Sequence, residues 1–181
     1  MGRVDGKVAI VTGGARGLGF ASAMRLADEG AKVTITDIDE EHGPGAAGKI
    51  ARGCRFLAQD VAEEEGWRRV VDRVVEEDGG LDILVNNAGV GIPRNVEETT
   101  LEDWRWLMSV NLDGVFLGTR EGLRAMRQSG GGSIVNMSSI EGLIGDRRLA
   151  AYDASKAGVM GPTRAAALPA ARTGAGRRAN C

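Results

Sequence analysis

The chain has 181 residues with 23 Lys+Arg against 25 Asp+Glu, a formal net charge of −2, and 43% hydrophobic residues. These values predict one folded domain over residues 1–181 and exclude disordered, collagen-like and coiled-coil chains. A balanced charge without a basic stripe argues against nucleic acid, and no apolar leader or 18-residue apolar run argues for a cytoplasmic chain with no membrane partner.

The first predicted element is strand 1, Val8-Ala9-Ile10-Val11-Thr12, a short apolar run of the kind buried on both faces of a parallel sheet. A helix follows from Gly17 to Glu29, with Leu18, Ala21 and Met24 at three-to-four spacing and Gly30 as its stop. The cycle then repeats. Lys32 to Asp37 reads as strand 2, Asp39 to Ala51 as a glycine-broken helix, Cys54 to Ala58 as strand 3, and Glu63 to Glu77 as the third helix. Leu81 to Val85 reads as strand 4, Leu101 to Gln128 as one long helix, Ser133 to Met137 as strand 5, and a last helix starts near Tyr152. Alternation of this kind predicts an α/β fold with a doubly wound, Rossmann-like parallel sheet. Gly130-Gly131-Gly132 reads as a helix-to-strand turn. Pro44 and Pro162 both fall inside predicted helices, where each is expected to break or kink the element.

The chemistry begins after strand 1, at Thr12-Gly13-Gly14-Ala15-Arg16-Gly17-Leu18-Gly19. Its Gly-x-x-x-Gly-x-Gly spacing leaves a turn without bulky side chains, so that backbone can approach a pyrophosphate at the positive end of the next helix. Alone, such a loop serves equally well as a simple strand-to-helix turn. Asp37, at the end of strand 2, adds a carboxylate able to accept both hydroxyls of an adenosine ribose and to repel a 2′-phosphate. That favours NAD over NADP, although the guanidinium of Arg16 could pair with a 2′-phosphate. A metal site is not expected, because His42 is the only histidine and Cys54 and Cys181 are far apart.

Four ordered motifs carry a resemblance. After Thr12-Gly13-x-x-x-Gly17-x-Gly19 come Asn86-Asn87-Ala88-Gly89 at the end of strand 4, Asn111 in the long helix, Ser138-Ser139 after strand 5, and Tyr152-Asp153-Ala154-Ser155-Lys156. Together they resemble the short-chain dehydrogenase/reductase family over residues 5 to about 168. Asp60-Val61 also resembles that family's adenine-contacting pair. The resemblance implies cofactor contacts at Gly13, Arg16, Gly17, Leu18, Gly19, Asp37, Asp60, Val61, Asn87, Ala88 and Gly89, with Tyr152 and Lys156 touching the cofactor as well. It implies that Ser139, the second serine, holds the substrate oxygen, that Ser138 caps the strand, and that Asn111 positions a water linking Lys156 to solvent.

The proton chemistry also follows from the residues. Exchange between a secondary alcohol and a ketone needs hydride transfer by a nicotinamide and proton transfer by the protein. Tyr152 is the only tyrosine. A phenol, with an ordinary pKa near ~10, needs help to act as a base at neutral pH, and an ammonium one helical turn away at Lys156 can give it. Trp104 and Trp106 read as helix packing, while Ile140 and Glu141 are candidates for a substrate pocket.

Family members continue with a sixth strand, a Pro-Gly turn, a substrate-covering segment and a seventh strand. The ending Leu168 to Cys181 is rich in Ala, Gly and Arg and lacks a buried apolar run, so the final strands are expected to be missing and strand 5 to form an exposed edge. Arg177-Arg178 reads as solvated surface, and Arg178-Ala179-Asn180 resembles the entry to a sixth strand. The sequence therefore predicts an NAD(P)-dependent oxidoreductase of secondary alcohols and ketones, and the family resemblance implies a homo-oligomer, if full length, packed through the long helix and the Tyr152 helix. The other readings are a non-catalytic dinucleotide-binding or dimerising fragment and an NADPH-dependent 3-oxoacyl reductase.

Overall fold

The computed structural model describes residues 2–172 and 177–180. Strands β1 (Val8–Thr12), β2 (Lys32–Asp37), β3 (Arg55–Ala58), β4 (Ile83–Asn86), β5 (Gly132–Asn136) and β6 (Arg177–Asn180) form one parallel sheet in the order β3-β2-β1-β4-β5-β6. Helices α1 (Gly17–Asp28), α2 (Gly43–Lys49) and α3 (Glu64–Asp78) precede β4, and α4 (Leu101–Met108) and α5 (Gly114–Gln128) precede β5. One turn, α6 (Glu141–Ile144), and the 23-residue α7 (Ala150–Arg172) complete the element order. The strand order reverses between β1 and β4, and ligands of doubly wound sheets sit beyond the carboxyl ends of the strands at that point.

All five residues of β1 are buried because its side chains feed cores on both faces. On one face Val8 and Ile10 pack with Trp67, Val70 and Val74 of α3 and with Leu84, Met126 and Ile134. On the other, Ala9 and Val11 meet Ala23 and Ala27 of α1 together with Val33 and Ile35. Trp67 is the largest fully buried side chain; its indole N–H donates to the Val61 carbonyl at 2.9 Å, so core packing also fixes the turn after β3. A Cβ on Gly118 would lie 2.5 Å from the same indole, which is why α5 has no side chain there.

Several expectations need correction. The long helix is three pieces: Ser109–Asp113 is a π-helical bulge between α4 and α5, and Asn111 lies inside it. The second helix is only α2, and Pro44 occupies its first turn, where a missing N–H removes no helical bond. Pro162 does not break α7, which is continuous from Ala150 to Arg172. Gly161 precedes that proline and has no Cβ for the ring to strike, so the helical conformation stays open to it.

The final strands are not all missing. Strand β6 pairs with β5 through Gly132↔Arg177 to Val135↔Asn180, and Ala179 is buried, so β5 is an interior strand. Residues 173–176 and Cys181, on which part of the expected ending rested, lie outside the described residues, as do the side chains of Arg177 and Arg178.

Candidate functional site

The sequence places a threonine at the end of β1, and its hydroxyl joins the two strands of the switch point. Thr12 Oγ1 accepts the N–H groups of Asn87 and Ala88, each at 3.0 Å, and donates to the Val85 carbonyl at 3.4 Å. Asn87 returns the contact, its Nδ2 donating to the carbonyls of Thr12 at 2.8 Å and Gly13 at 3.3 Å. The glycine loop is therefore fastened to the turn after β4 by side chains from both.

Glycine is required on steric grounds at three of the loop positions, Gly13, Gly14, where a Cβ would lie 2.5 Å from Ile35 Cβ, and Gly19. Gly13 has φ +63° and a Cβ there would lie 2.9 Å from Ala88 Cα, while a Cβ on Gly19 would lie 2.1 Å from the Gly13 carbonyl oxygen. Helix α1 starts at Gly17 with no side-chain cap and no acidic residue in its first turn. Its leading N–H groups suit an anion.

Over this turn lies a cavity of about 340 Å³ lined by Gly13, Arg16, Asp37, Asp60, Val61 and Asn87 to Val90, with Ile38, Gln59, Trp106 and Val110. The carboxylate of Asp37 is held at both oxygens, Oδ2 accepting Ala15 N at 3.1 Å and Oδ1 accepting Asp39 N at 3.2 Å. An anchored carboxylate at one end, a narrow glycine turn in the middle and the turn 87–90 at the other end fit an extended dinucleotide. Of the residues expected to contact a cofactor, Gly17, Leu18 and Gly19 do not line the cavity; they shape the turn from outside, with Leu18 exposed.

Trp106 corrects another expectation. It is 49% exposed and borders the cavity rather than packing within the fold. Trp104 is also partly exposed. Sequence reading missed Ile38, Gln59, Val90 and Val110 too; the place of each beside a named motif residue, Asp37, Asp60, Gly89 and Asn111, was the available signal.

Tyr152, Lys156 and Asn111 stand behind the turn at Gly89 to Gly91, next to the cavity, and like Ser139 they do not line it. A Cβ on Gly89 would stand 3.3 Å from Asn111 Oδ1 and 3.6 Å from Lys156 Nζ, and one on Gly91 would touch the Tyr152 ring at 3.8 Å. Lys156 Nζ lies 5.6 Å from the centre of the Tyr152 ring and donates to the Met137 carbonyl at 2.7 Å. Lys156 is buried, and that burial pushes its pKa below the ordinary lysine value.

The two serines of the pair differ. Ser138 Oγ donates to the Lys156 carbonyl at 2.8 Å, so it ties α7 to the end of β5 instead of capping the strand. Ser139 Oγ accepts the Glu141 N–H at 3.2 Å, which leaves its own hydrogen to give elsewhere. The side chain of Asn111 is fully engaged. Its Oδ1 accepts Val90 N at 2.8 Å, and its Nδ2 donates to Val90 O at 2.9 Å and to Ser155 Oγ at 3.1 Å.

The profile of the short chain dehydrogenase family matches residues 7–177, and the chain belongs to that family. It is 49% identical over 172 residues to an NADP-dependent (R)-specific alcohol dehydrogenase of Lentilactobacillus kefiri, an alignment spanning 93% of this chain and 68% of that protein. It is 44% identical over 167 residues to a 3-alpha-(or 20-beta)-hydroxysteroid dehydrogenase of Mycobacterium bovis, covering 92% of this chain and 64% of the relative. A 3-beta-hydroxysteroid dehydrogenase of Comamonas testosteroni is 42% identical over 178 residues, 98% of this chain and 70% of that one. The chain thus spans about two thirds of the length of these relatives. A crystal structure of a short chain dehydrogenase from Mycobacterium smegmatis superposes with a TM-score of 0.94 at 36% identity, covering 99% of this chain and 77% of that one. No described helix is long and apolar enough to cross a membrane, and no group of metal-ligating side chains is found among the described residues.

Proposed function

We propose that the chain forms one dinucleotide-binding and catalytic domain of an NAD(P)-dependent oxidoreductase that interconverts a secondary alcohol and a ketone. The observation that carries this reading is the cluster of Tyr152, Lys156 and Asn111 abutting, at Gly89 to Gly91, the wall of a cavity shaped for a dinucleotide. A bound nicotinamide supplies or accepts the hydride. Tyr152 takes the hydroxyl proton in oxidation and returns one in reduction. The Lys156 ammonium, with one donor on Met137, favours the negative phenolate in a site largely removed from water. Ser139 donates to the substrate oxygen through its hydroxyl hydrogen, which the bond accepted from Glu141 N leaves free. Asn111 holds the cavity wall at Val90 through its side chain, and in this reading its backbone carries the water that links Lys156 to solvent.

The alcohol and hydroxysteroid dehydrogenases among the relatives support this reading over a non-catalytic fragment and over a 3-oxoacyl reductase. The substrate is a small-molecule secondary alcohol or its ketone. Following NAD(P)H absorbance with a panel of aliphatic secondary alcohols, ketones and hydroxysteroids tests it. The chain should be assayed beside a version extended through the later strands of its relatives. Turnover dependent on the alcohol is the expected result; turnover only in the extended version would support the fragment reading for the chain as given.

NAD is the proposed cofactor over NADP, since the Asp37 carboxylate, fixed at both oxygens, would meet the ribose edge and repel a 2′-phosphate; the guanidinium of Arg16, which also lines the cavity, acts in the opposite sense and is outweighed in this reading. Two like charges about 5 Å apart at an effective dielectric near 20 repel by about 3 kcal/mol, roughly 100-fold in affinity. Asp37→Ala should therefore raise NADPH affinity by one to two orders of magnitude while weakening NADH, as read by cofactor fluorescence titration. An unchanged NADPH affinity would remove Asp37 from this role. A cytoplasmic location and a homo-oligomer packed through α4, α5 and α7 belong to the same proposal, the latter supported by the exposed Phe116 on α5.

A further inference from the structure

Ser155 sits between Tyr152 and Lys156 in sequence and is wholly buried. Serine is a poorer helix former than alanine, and in a helix interior its hydroxyl competes for backbone groups. Here the hydroxyl donates to the carbonyl of Tyr152 at 2.7 Å, one turn back along α7. That bond turns the lone pairs of Oγ outward from the helix, and Asn111 Nδ2 donates to them at 3.1 Å. Asn111 in turn grips both backbone groups of Val90, at 2.8 Å and 2.9 Å, and Val90 lines the cavity. One continuous line of buried hydrogen bonds therefore runs from the cavity wall, through the π-bulge, to the backbone that carries the phenol.

We propose that Ser155 is a positioning residue for the proton-transfer step, its hydroxyl clamping the first turns of α7 to Asn111 and so holding Tyr152 in register with the cavity wall at Val90. This rests on the function proposed above for Tyr152. An alanine at position 155 keeps the helix and fills nearly the same volume, yet leaves Asn111 Nδ2 with only Val90 and lets α7 shift against the bulge. Misplacement by about 1 Å in an active site costs on the order of 100-fold in rate, so a fraction of that shift is measurable.

The test is Ser155→Ala in the chain or in its extended, active version. NADH affinity is expected to stay within about 2-fold of wild type, because no cavity-lining side chain changes. Turnover is expected to fall about 10-fold, within the span set by small misplacements. The acid limb of the turnover profile should move, since that limb reports the group that transfers the proton and its surroundings. A purely structural serine would lower the melting temperature without moving that limb. In nuclear magnetic resonance spectra the side-chain amide protons of Asn111 should exchange with solvent faster in the variant. Turnover and a pH profile matching wild type would overturn the proposal. Should neither version of the wild-type chain turn over substrate, the function reading falls by itself. The amide exchange then decides the clamp: faster exchange supports it and unchanged exchange overturns it.

Discussion

Tyr152→Phe should reduce alcohol oxidation by at least ~10³-fold, about 4 kcal/mol in activation free energy, while NADH still binds within a few-fold of wild type. The replacement removes one oxygen and nothing else. The ring remains beside Gly91 and within 5.6 Å of Lys156 Nζ, so the packing of α7 against the turn after β4 is kept. Cofactor affinity depends mainly on the far end of the cavity, at Gly13, Arg16, Asp37 and Asp60, which the substitution does not touch. The measurement pairs steady-state turnover with a fluorescence titration of NADH. A variant that keeps more than a tenth of the rate would show that another group moves the proton.

Lys156→Met should also remove nearly all turnover, and it carries a second signature in stability. Burial lowers the pKa of Lys156, so the folded chain binds fewer protons at this group than the unfolded chain does between the lowered value and the ordinary lysine value of 10.5. Within that window folding of the wild type becomes more favourable as pH rises, because the cost of burying the ammonium disappears with its charge. The methionine variant has no such group. Urea unfolding without cofactor, run from about pH 8 to 10, should show the stability of wild type relative to Lys156→Met increasing with pH. A difference that is flat or falls with pH would mean that the ammonium is not desolvated in the folded chain.

Much of this site could be read from residues alone, because its parts are local. The buried run of β1, the glycine turn and Asp37 at the end of β2 are each contiguous signals, and each lies where the strand order brings it to the switch point. Tyr152 and Lys156 share a helix face through their spacing of four. What escaped had a tertiary origin. The π-bulge at Ser109–Asp113 inserts extra residues into a helix without disturbing the apolar pattern on either side, so periodicity alone runs straight through it. Trp106 has the composition of a core residue, and its place at the cavity rim appears only once the chain is folded. Strand β6 carries two arginines in four residues, a poor match to a buried strand, and its assignment comes from pairing along β5. At Pro162 the expected break does not occur: α7 is continuous, and the glycine before the proline removes one of the clashes that disfavour helix at that position, while the lost N–H bond remains.

Asn111 offers Val90 one acceptor and one donor from a single amide, the same pair of bonds that an adjoining β-strand would give. A side chain thus stands in for missing sheet, and a stretch of coil acquires the stiffness of a paired backbone. The wall at Val90 is therefore hard to reshape without dismantling the helix behind it. A change of alcohol specificity is easier to make elsewhere, as at 140–149, where Ile140, Leu143 and Ile144 stand exposed.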